Sequence, residues 1–477
     1  MGQEIAYSHF TDADFARFNA RLQSETALLH SWFRDDVFSS RDGVAGLELE
    51  AWLIDRAGRP AAVNARLLEQ LDDPLVVPEL ARFNIELNTH PVPLKSDALS
   101  RMLSDLELTY ARCRQVAAQL DTGLMTIGIL PTLDERDLTP DNMSDVKRYR
   151  ALNEQVLRQR EGRPLKLDIQ GHEHLKTEHH TVMLESATTS FQIHLKVAPS
   201  RAAQYYNLAQ MLSAAMVALS ANSPYLFGHD LWSETRIPLF EQSVSVGGFG
   251  AVAQGPIRRV SFGSGYVHAS LFECFQENLE HFPVLLPMCS DAAPERLEHL
   301  RLHNGTIWRW NRPLIGFDDD GTPHLRIEHR VVPGGPTLMD SIANAAFFFG
   351  LMQSLGADTA LSAPLLPFSQ ARDNFYAAAR YGLDAQVHWG HEQKQHLQPL
   401  ILDELLPLAR RGLEQLSLDA ADIQRFLGVI QARVETGRTG AAWQRAFVAR
   451  NGVDWQGLTL AYREQQDSGA PVHTWRF

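Results

Sequence analysis

Residues 46–55 read GLELEAWLID. In a β-strand, successive side chains point to opposite faces. Leu47, Leu49, Ala51 and Leu53 then share one face, and Glu48 and Glu50 share the other, with Trp52 and Ile54 beyond them. Carboxylates are seldom buried unless they are paired or hold a cation. A strand this apolar that sets two of them side by side needs partners from elsewhere in the chain.

Three further stretches repeat the pattern. In FNIELN (83–88), Phe83, Ile85 and Leu87 oppose Asn84, Glu86 and Asn88. In SFQIHLKV (190–197), Phe191, Ile193, Leu195 and Val197 oppose Gln192, His194 and Lys196. In LRIEHRVV (325–332), Leu325, Ile327 and Val331, with His329, oppose Arg326, Glu328 and Arg330. Alternation alone describes any half-exposed antiparallel strand. Here, however, the polar faces hold Glu, Asn, Gln, His and Arg, and almost no Ser or Thr. In one sheet, Glu48, Glu50, Glu86 and Glu328 would stand together, with same-face neighbours about 7 Å apart. Unpaired carboxylates at that spacing repel and raise one another's pKa. Divalent cations relieve this: Mg²⁺ takes oxygen ligands and substrate phosphates, and His194 would offer Mn²⁺ a nitrogen. Arg326 and Arg330 would grip phosphate or carboxylate oxygens in bidentate fashion. The structural alternative is that Glu328 merely pairs with a flanking arginine.

The remaining chain frames these strands. Its 477 residues, 44% of them hydrophobic, suffice for a large core. The net charge of −13 and the lack of a long basic block argue against nucleic acid as a partner. Cys113, Cys274 and Cys289 have neither metal-ligand nor disulfide spacing. The opening MGQEIAYSHF has no signal-peptide pattern. A cytoplasmic protein is expected, without membrane spans: the most apolar helix candidate, 205–219, is short and contains Asn207, Gln210 and Ser213. Helices are expected over 11–35, 98–120, from a Ser200 cap to about 220, after Thr337, and over 396–416 and 419–437, with only helices from 370 to 465. LMTIGIL (124–130) reads as a buried strand. We expect a catalytic domain over 1–369 and a helical region packed on it over 370–477. Exposed strand edges leave room for a homodimer.

At the four strands the chain resembles the carboxylate–amine ligases of the glutamate–cysteine ligase (GCS2) type, a branch of the glutamine-synthetase-like superfamily. The matching pieces are GLELE (46–50), IELNTHPV (85–92), KRYR (147–150), TTSFQIHLKV (188–197), ALSANSPYLFG (218–228) with Ser233 and Arg236, and LRIEHRV (325–331), in the expected order. The resemblance implies an α+β fold: a curved, mainly antiparallel sheet lining an active-site cavity, helices behind it, and a helical C-terminal region. It implies ATP with Mg²⁺ (or Mn²⁺), small-molecule acid and amine substrates, and activation of a carboxylate, of glutamate or a related amino acid, as an acyl phosphate. Carried over by residue, Glu48, Glu50, Glu86, His194 and Glu328 resemble metal ligands. Arg330 resembles the arginine that stabilises the transferring phosphoryl group, and Arg326 is a second catalytic candidate. Gln192, Arg236, Arg148, Asn84 and Glu185 are candidate substrate or ATP contacts. Two departures stand out: Gln192 lies where many relatives have a histidine, and VVPGGPT follows Arg330 where relatives often place an acid.

Other features are read more plainly. HNGTIWRWNRPLIGF (303–317), with Arg309 and Arg312, is either a substrate wall or packed structure. The histidines of GHEHLKTEHH (171–180) are expected on a solvated loop between strands. SVGGFGAVAQG (245–255) is expected to be a mobile loop and is not a P-loop. Asp55 and Lys196 are expected at the surface or rim. The alternatives to a ligase are a guanidino-kinase-like phosphotransferase and a non-catalytic nucleotide or amino-acid binding protein. A Glu-rich, His-poor site suits Mg²⁺ or Mn²⁺ better than Zn²⁺.

Overall fold

The GLELE stretch lies in the strand Val44–Ile54, at the heart of an eight-stranded sheet. This computed structural model describes residues 7–41, 43–246, 258–357, 366–390 and 393–476. The strand order is Asn311–Phe317, Pro323–His329, Phe191–Val197, Val44–Ile54, Asn84–Asn88 and Val76–Pro78. Val92–Pro93 and Gly123–Met125 pair with the two ends of the central strand. All these pairings are antiparallel. The four alternating stretches are therefore four consecutive strands of one α+β fold.

Alternation decides what each face meets. Leu47, Leu49, Leu53, Ile85, Leu87, Ile193, Leu195 and Ile327 are buried on the apolar side. The helices Ala98–Gln119, Pro199–Ser220 and Leu338–Gly356 pack there. Burying such side chains contributes about 1.5–3 kcal/mol each before entropy is counted. Behind them, Leu406–Gln415 lies against Leu338–Gly356 at Gly412 and Gly350, where a Cβ on Gly412 would overlap the Gly350 carbonyl. Ala420–Thr436 is tied in by Arg433, whose guanidinium meets Asp340 Oδ1 at 2.7 Å.

Most expected helices form. Thr11 caps Asp12–Arg34 through a capping box with Asp14, and Thr337 caps Leu338–Gly356. The differences have local causes. The 199–220 helix is capped at Ala198, because Pro199 takes the first helical position, where its missing N–H costs nothing. The 396–416 stretch is broken by a wide turn at Ile401–Leu405, just before Pro407, which has no N–H to donate. LMTIGIL is strand only at Gly123–Met125. Beyond it, side chains replace the ladder: Gln466 Nε2 donates to Thr126 O at 2.7 Å and Trp52 Nε1 to Ile127 O at 3.0 Å. The 370–465 region also holds a short hairpin, Gln386–Val387 with Gln395–His396. The 171–180 histidines belong to the hairpin Leu165–Gln170 with His174–His179: His172 lies in its turn, His174 and His179 lie in its second strand, and His179 is buried while His172, His174 and His180 are exposed. Lys196 is not a rim charge: it is buried, with Nζ 2.7 Å from Asp318 Oδ1. Most of the 245–255 stretch lies outside the described residues. Among the described residues, no helix is long and apolar enough to cross a membrane.

Candidate active site

Register assembles the polar face. Glu50 lies across from Glu86, Glu48 from Gln192, and Glu328 from His194. With helices covering the other side, this face becomes the floor of a cavity of about 1400 Å³, counting its open mouth. Arg148 and Tyr149, from the helix Lys147–Gln159, line the cavity with Glu185. Thr306, Trp308, Arg312 and Leu314 line it too, so part of the 303–317 stretch is a wall of the cavity. Arg309 points elsewhere, donating to Asn278 Oδ1 at 2.7 Å.

Glu48, His194 and Glu328 bring ligand atoms within 4.8 Å of one another. His194 Nε2 is 3.1 Å from Glu48 Oε1 and 3.9 Å from Glu328 Oε1, yet neither buried ring nitrogen makes an aligned hydrogen bond. Guanidinium groups surround this end. Arg312 grips Glu328 through Nε at 2.7 Å and Nη2 at 2.9 Å, and Arg330 Nη1 adds a contact at 3.0 Å. Burial alone would raise the Glu328 carboxyl, but Arg312 and Arg330 hold it at about 2. Burial likewise opposes ionisation of Glu48, and the charges of His194 and Arg330 bring it well below the usual carboxylate range. Arg326 also lines the cavity.

Glu50, Glu79 and Glu86 form a second trio, with ligand atoms again within 4.8 Å. Glu50 is held from behind: Ser190 N and Oγ donate to it at 2.6 and 2.8 Å, and Gln192 Nε2 at 3.0 Å. Asn88 Nδ2 donates to Glu86 at 3.0 Å, and Leu80 N to Glu79 at 3.2 Å. Burial, then the charges of Glu48 and Glu50, push Glu86 up to about 8. Burial and the neighbouring carboxylates push Glu79 well above its ordinary range. Burial and Glu50 raise Glu185 to about 8. Three converging carboxylates with no cationic side chain within ion-pair distance, among the described residues, are the donor set a hard dication takes. This trio fits Mg²⁺ or Mn²⁺. The first trio fits one as well, through the His194 ring, although Glu328 is already shared with two arginines.

Ten of the twelve residues singled out from sequence line this cavity: Glu48, Glu50, Glu86, Arg148, Glu185, Gln192, His194, Arg326, Glu328 and Arg330. Two do not. Arg236 is buried behind it, 3.2 Å from Glu234 Oε1, and donates to the carbonyls of Arg330 and Val331. Its reach is spent on backbone, so it holds the segment carrying Arg330 and touches no substrate space. Asn84 pairs with Trp52 at the strand end, is buried, and does not line the cavity. Glu79 and Arg301 also line it and were not singled out, and the place of Arg312 beside Glu328 was not foreseen. Glu79 follows the short strand Val76–Pro78 and so falls outside any alternating run. Arg312 sits across from Glu328 in register, a pairing legible only once the strand Asn311–Phe317 is known.

The family description glutamate–cysteine ligase family 2 (GCS2) matches residues 44–467. The chain belongs to this family. It is therefore an ATP-dependent carboxylate–amine ligase. A relative from Frankia alni, provisionally named glutamate–cysteine ligase 2-1, is 25% identical over 448 residues, covering 91% of this chain and 98% of that one. One from Mycolicibacterium vanbaalenii, provisionally given the same name, is 26% identical over 389 residues, covering 79% and 84%. The crystal structure of glutamate–cysteine ligase from Francisella tularensis in complex with AMP overlays with a TM-score of 0.55 at 11% identity, covering 90% of this chain and 89% of that one. That likeness is one of fold. It agrees with the curved sheet and its helical backing, and the family match spans every strand of the ligase's polar face.

Proposed function

We propose that this ligase activates the carboxylate of a small acid, glutamate or a related amino acid, as an acyl phosphate and couples it to a small amine. A substrate carboxylate oxygen bonds to the γ-phosphorus of ATP as the bond from that phosphorus to ADP breaks. The amine nitrogen then bonds to the acyl carbon, phosphate leaves with the former carboxylate oxygen, and a proton passes from the amine to solvent. The observation that carries this reading is the convergence of two acidic trios and five arginines, Arg148, Arg301, Arg312, Arg326 and Arg330, in one cavity. Phosphoryl transfer needs positioning and charge neutralisation more than covalent help from the protein.

Glu48, His194 and Glu328, and Glu50, Glu79 and Glu86, would hold Mg²⁺ or Mn²⁺, which when bound would neutralise phosphate charge. Arg330, fixed by Glu328 and by its own backbone anchors, presents a lasting positive charge to the transferring group. Arg326 and Arg312 extend that positive end. Trp308, Leu314 and Ile315 exclude water from it. At the other end Arg148 offers its charge to the carboxylate of an amino acid, and Glu185 offers its carboxyl as a hydrogen-bonding partner. We propose that the C-terminal helices belong to the same working unit, and that the protein acts in the cytoplasm.

The test is ADP release from Mg-ATP with acids and amines supplied singly and in pairs, with hydroxylamine as a substitute nucleophile. The reading expects turnover only with a pair, and a hydroxamate when hydroxylamine replaces the amine. ADP formed with a single acceptor, leaving a stable phosphorylated product, would instead make the protein a kinase.

A further inference from the structure

Gln192 lies on the floor of the cavity, and each end of its amide is tied to a neighbour. It is 3% exposed. Its Nε2 donates to Glu50 Oε1 at 3.0 Å, and its Oε1 accepts a hydrogen bond from Arg330 Nη1. A primary amide has distinct donor and acceptor ends, and here each end is engaged by a different charged partner. Turning it over would set its oxygen against a carboxylate and its N–H against a guanidinium, so the two partners lock one orientation.

The neighbours extend the chain of bonds. Glu50 takes two more hydrogen bonds from Ser190, which leaves Glu79 and Glu86 on its remaining side. Arg330 also holds Glu328, which Arg312 grips from beyond. Ser190, Glu50, Gln192, Arg330, Glu328 and Arg312 thus form one continuous file, in which Gln192 and Arg330 together join the two acidic trios.

We infer that Gln192 is a positioning residue, not a substrate contact: its amide fixes the Arg330 guanidinium relative to Glu50 and so sets the spacing between the two halves of the active site. This rests on the ligase reading above. A misplacement of about 1 Å at a phosphoryl-transfer site costs roughly 10²-fold in rate.

The experiment compares the full-length wild type with Gln192→Met, which keeps the length and loses both bonds, and with Gln192→Glu, which keeps the oxygen for Arg330 and loses the donor to Glu50. Arg330→Lys and the double variant Gln192→Met/Arg330→Lys complete a cycle, and circular dichroism checks folding. Gln192→Met should lower kcat at least about 10-fold with the KM for ATP within about 3-fold, the signature of lost transition-state positioning. Gln192→Glu should recover most of kcat but need more Mg²⁺. The double variant should be no slower than Arg330→Lys alone, since the amide acts through that arginine. A Met variant with wild-type kcat, or losses that multiply in the double variant, would overturn the inference. If the wild type turns over no substrate pair, the ligase reading alone fails. The clamp is then read from Mn²⁺ binding by electron paramagnetic resonance, where Gln192→Met must weaken affinity and an unchanged affinity refutes it.

Discussion

Replacing Glu86 by Gln should stabilise the metal-free protein and weaken its stabilisation by Mg²⁺ or Mn²⁺. Glu86 is 1% exposed and faces Glu50 directly across the sheet. Burial and its acidic neighbours raise it from 4.5 to about 8. Between those values the folded chain keeps a proton that the unfolded chain has lost, so stability falls as pH rises through this window and the loss is complete above pH 8. At pH 7 the gap spans about 2.5 pH units above the unfolded pKa, worth on the order of 3 kcal/mol at 1.36 kcal/mol per unit. Gln mimics the neutral form and carries none of this cost. For a chain this long, that gain corresponds to a rise of a few degrees in the apparent Tm. The assay is thermal unfolding in chelator and in millimolar Mn²⁺, at pH 6, 7 and 8. In chelator the variant should gain on the wild type as pH rises. In Mn²⁺ the wild type should recover, because a bound cation displaces the proton and repays the repulsion. A variant less stable than the wild type in chelator at every pH, or one that Mn²⁺ still stabilises fully, would refute the cation-site reasoning.

Arg330→Ala should lower kcat by roughly 10³-fold, the size expected for losing one charge aimed at a transferring phosphoryl group, with ATP binding by calorimetry reduced far less. Gln466→Leu, some distance from the cavity, should slow turnover: Gln466 donates to Pro336 O, Thr126 Oγ1 donates to Gly335 O, and Asn222 Nδ2 donates to Gly334 O, so this C-terminal helix helps anchor the segment that follows Arg330. Steady-state kinetics with unchanged substrate KM values would bear this out. In acid, His303 should oppose folding. Burial lowers it to about 4, so the unfolded chain gains a proton near pH 6.5 that the folded chain refuses. Stability should fall by about 3 kcal/mol from this group as pH drops from 6.5 to 4, and His303→Gln should flatten that part of the urea-unfolding profile.

The polar faces were legible because period-2 alternation is local: Glu48 and Glu50, Glu86, His194 and Glu328 each announce their face within six or seven residues of sequence. What brings them together is register, and register depends on strand order, which alternation does not contain. Arg312 illustrates this. It lies opposite Glu328 only because Asn311–Phe317 forms the sheet edge. Glu79 escaped for a different reason: it sits one residue past a three-residue strand, where no period can be read. Arg236 misled because its chemistry suits a substrate contact, while its carbonyl partners come from distant backbone. Lys196 misled because Asp318, which neutralises it, lies 122 residues away. At Thr126 and Ile127 an apolar run that reads as strand is claimed by side chains from a C-terminal helix and the central strand. In each case the deciding partner is remote in sequence.

The central claim is that a substrate carboxylate is activated by phosphoryl transfer. It is tested most directly by supplying the acid substrate with ¹⁸O in its carboxylate, running the reaction with Mg-ATP and the amine, and analysing the released phosphate by mass spectrometry. An acyl phosphate broken at its carbonyl carbon leaves one substrate oxygen on phosphorus, so the phosphate should carry one ¹⁸O per turnover. Phosphate without label, released as product forms, would mean that the carboxylate never bonded to the γ-phosphorus, and the assignment of the cavity as an acyl-phosphate site would be wrong.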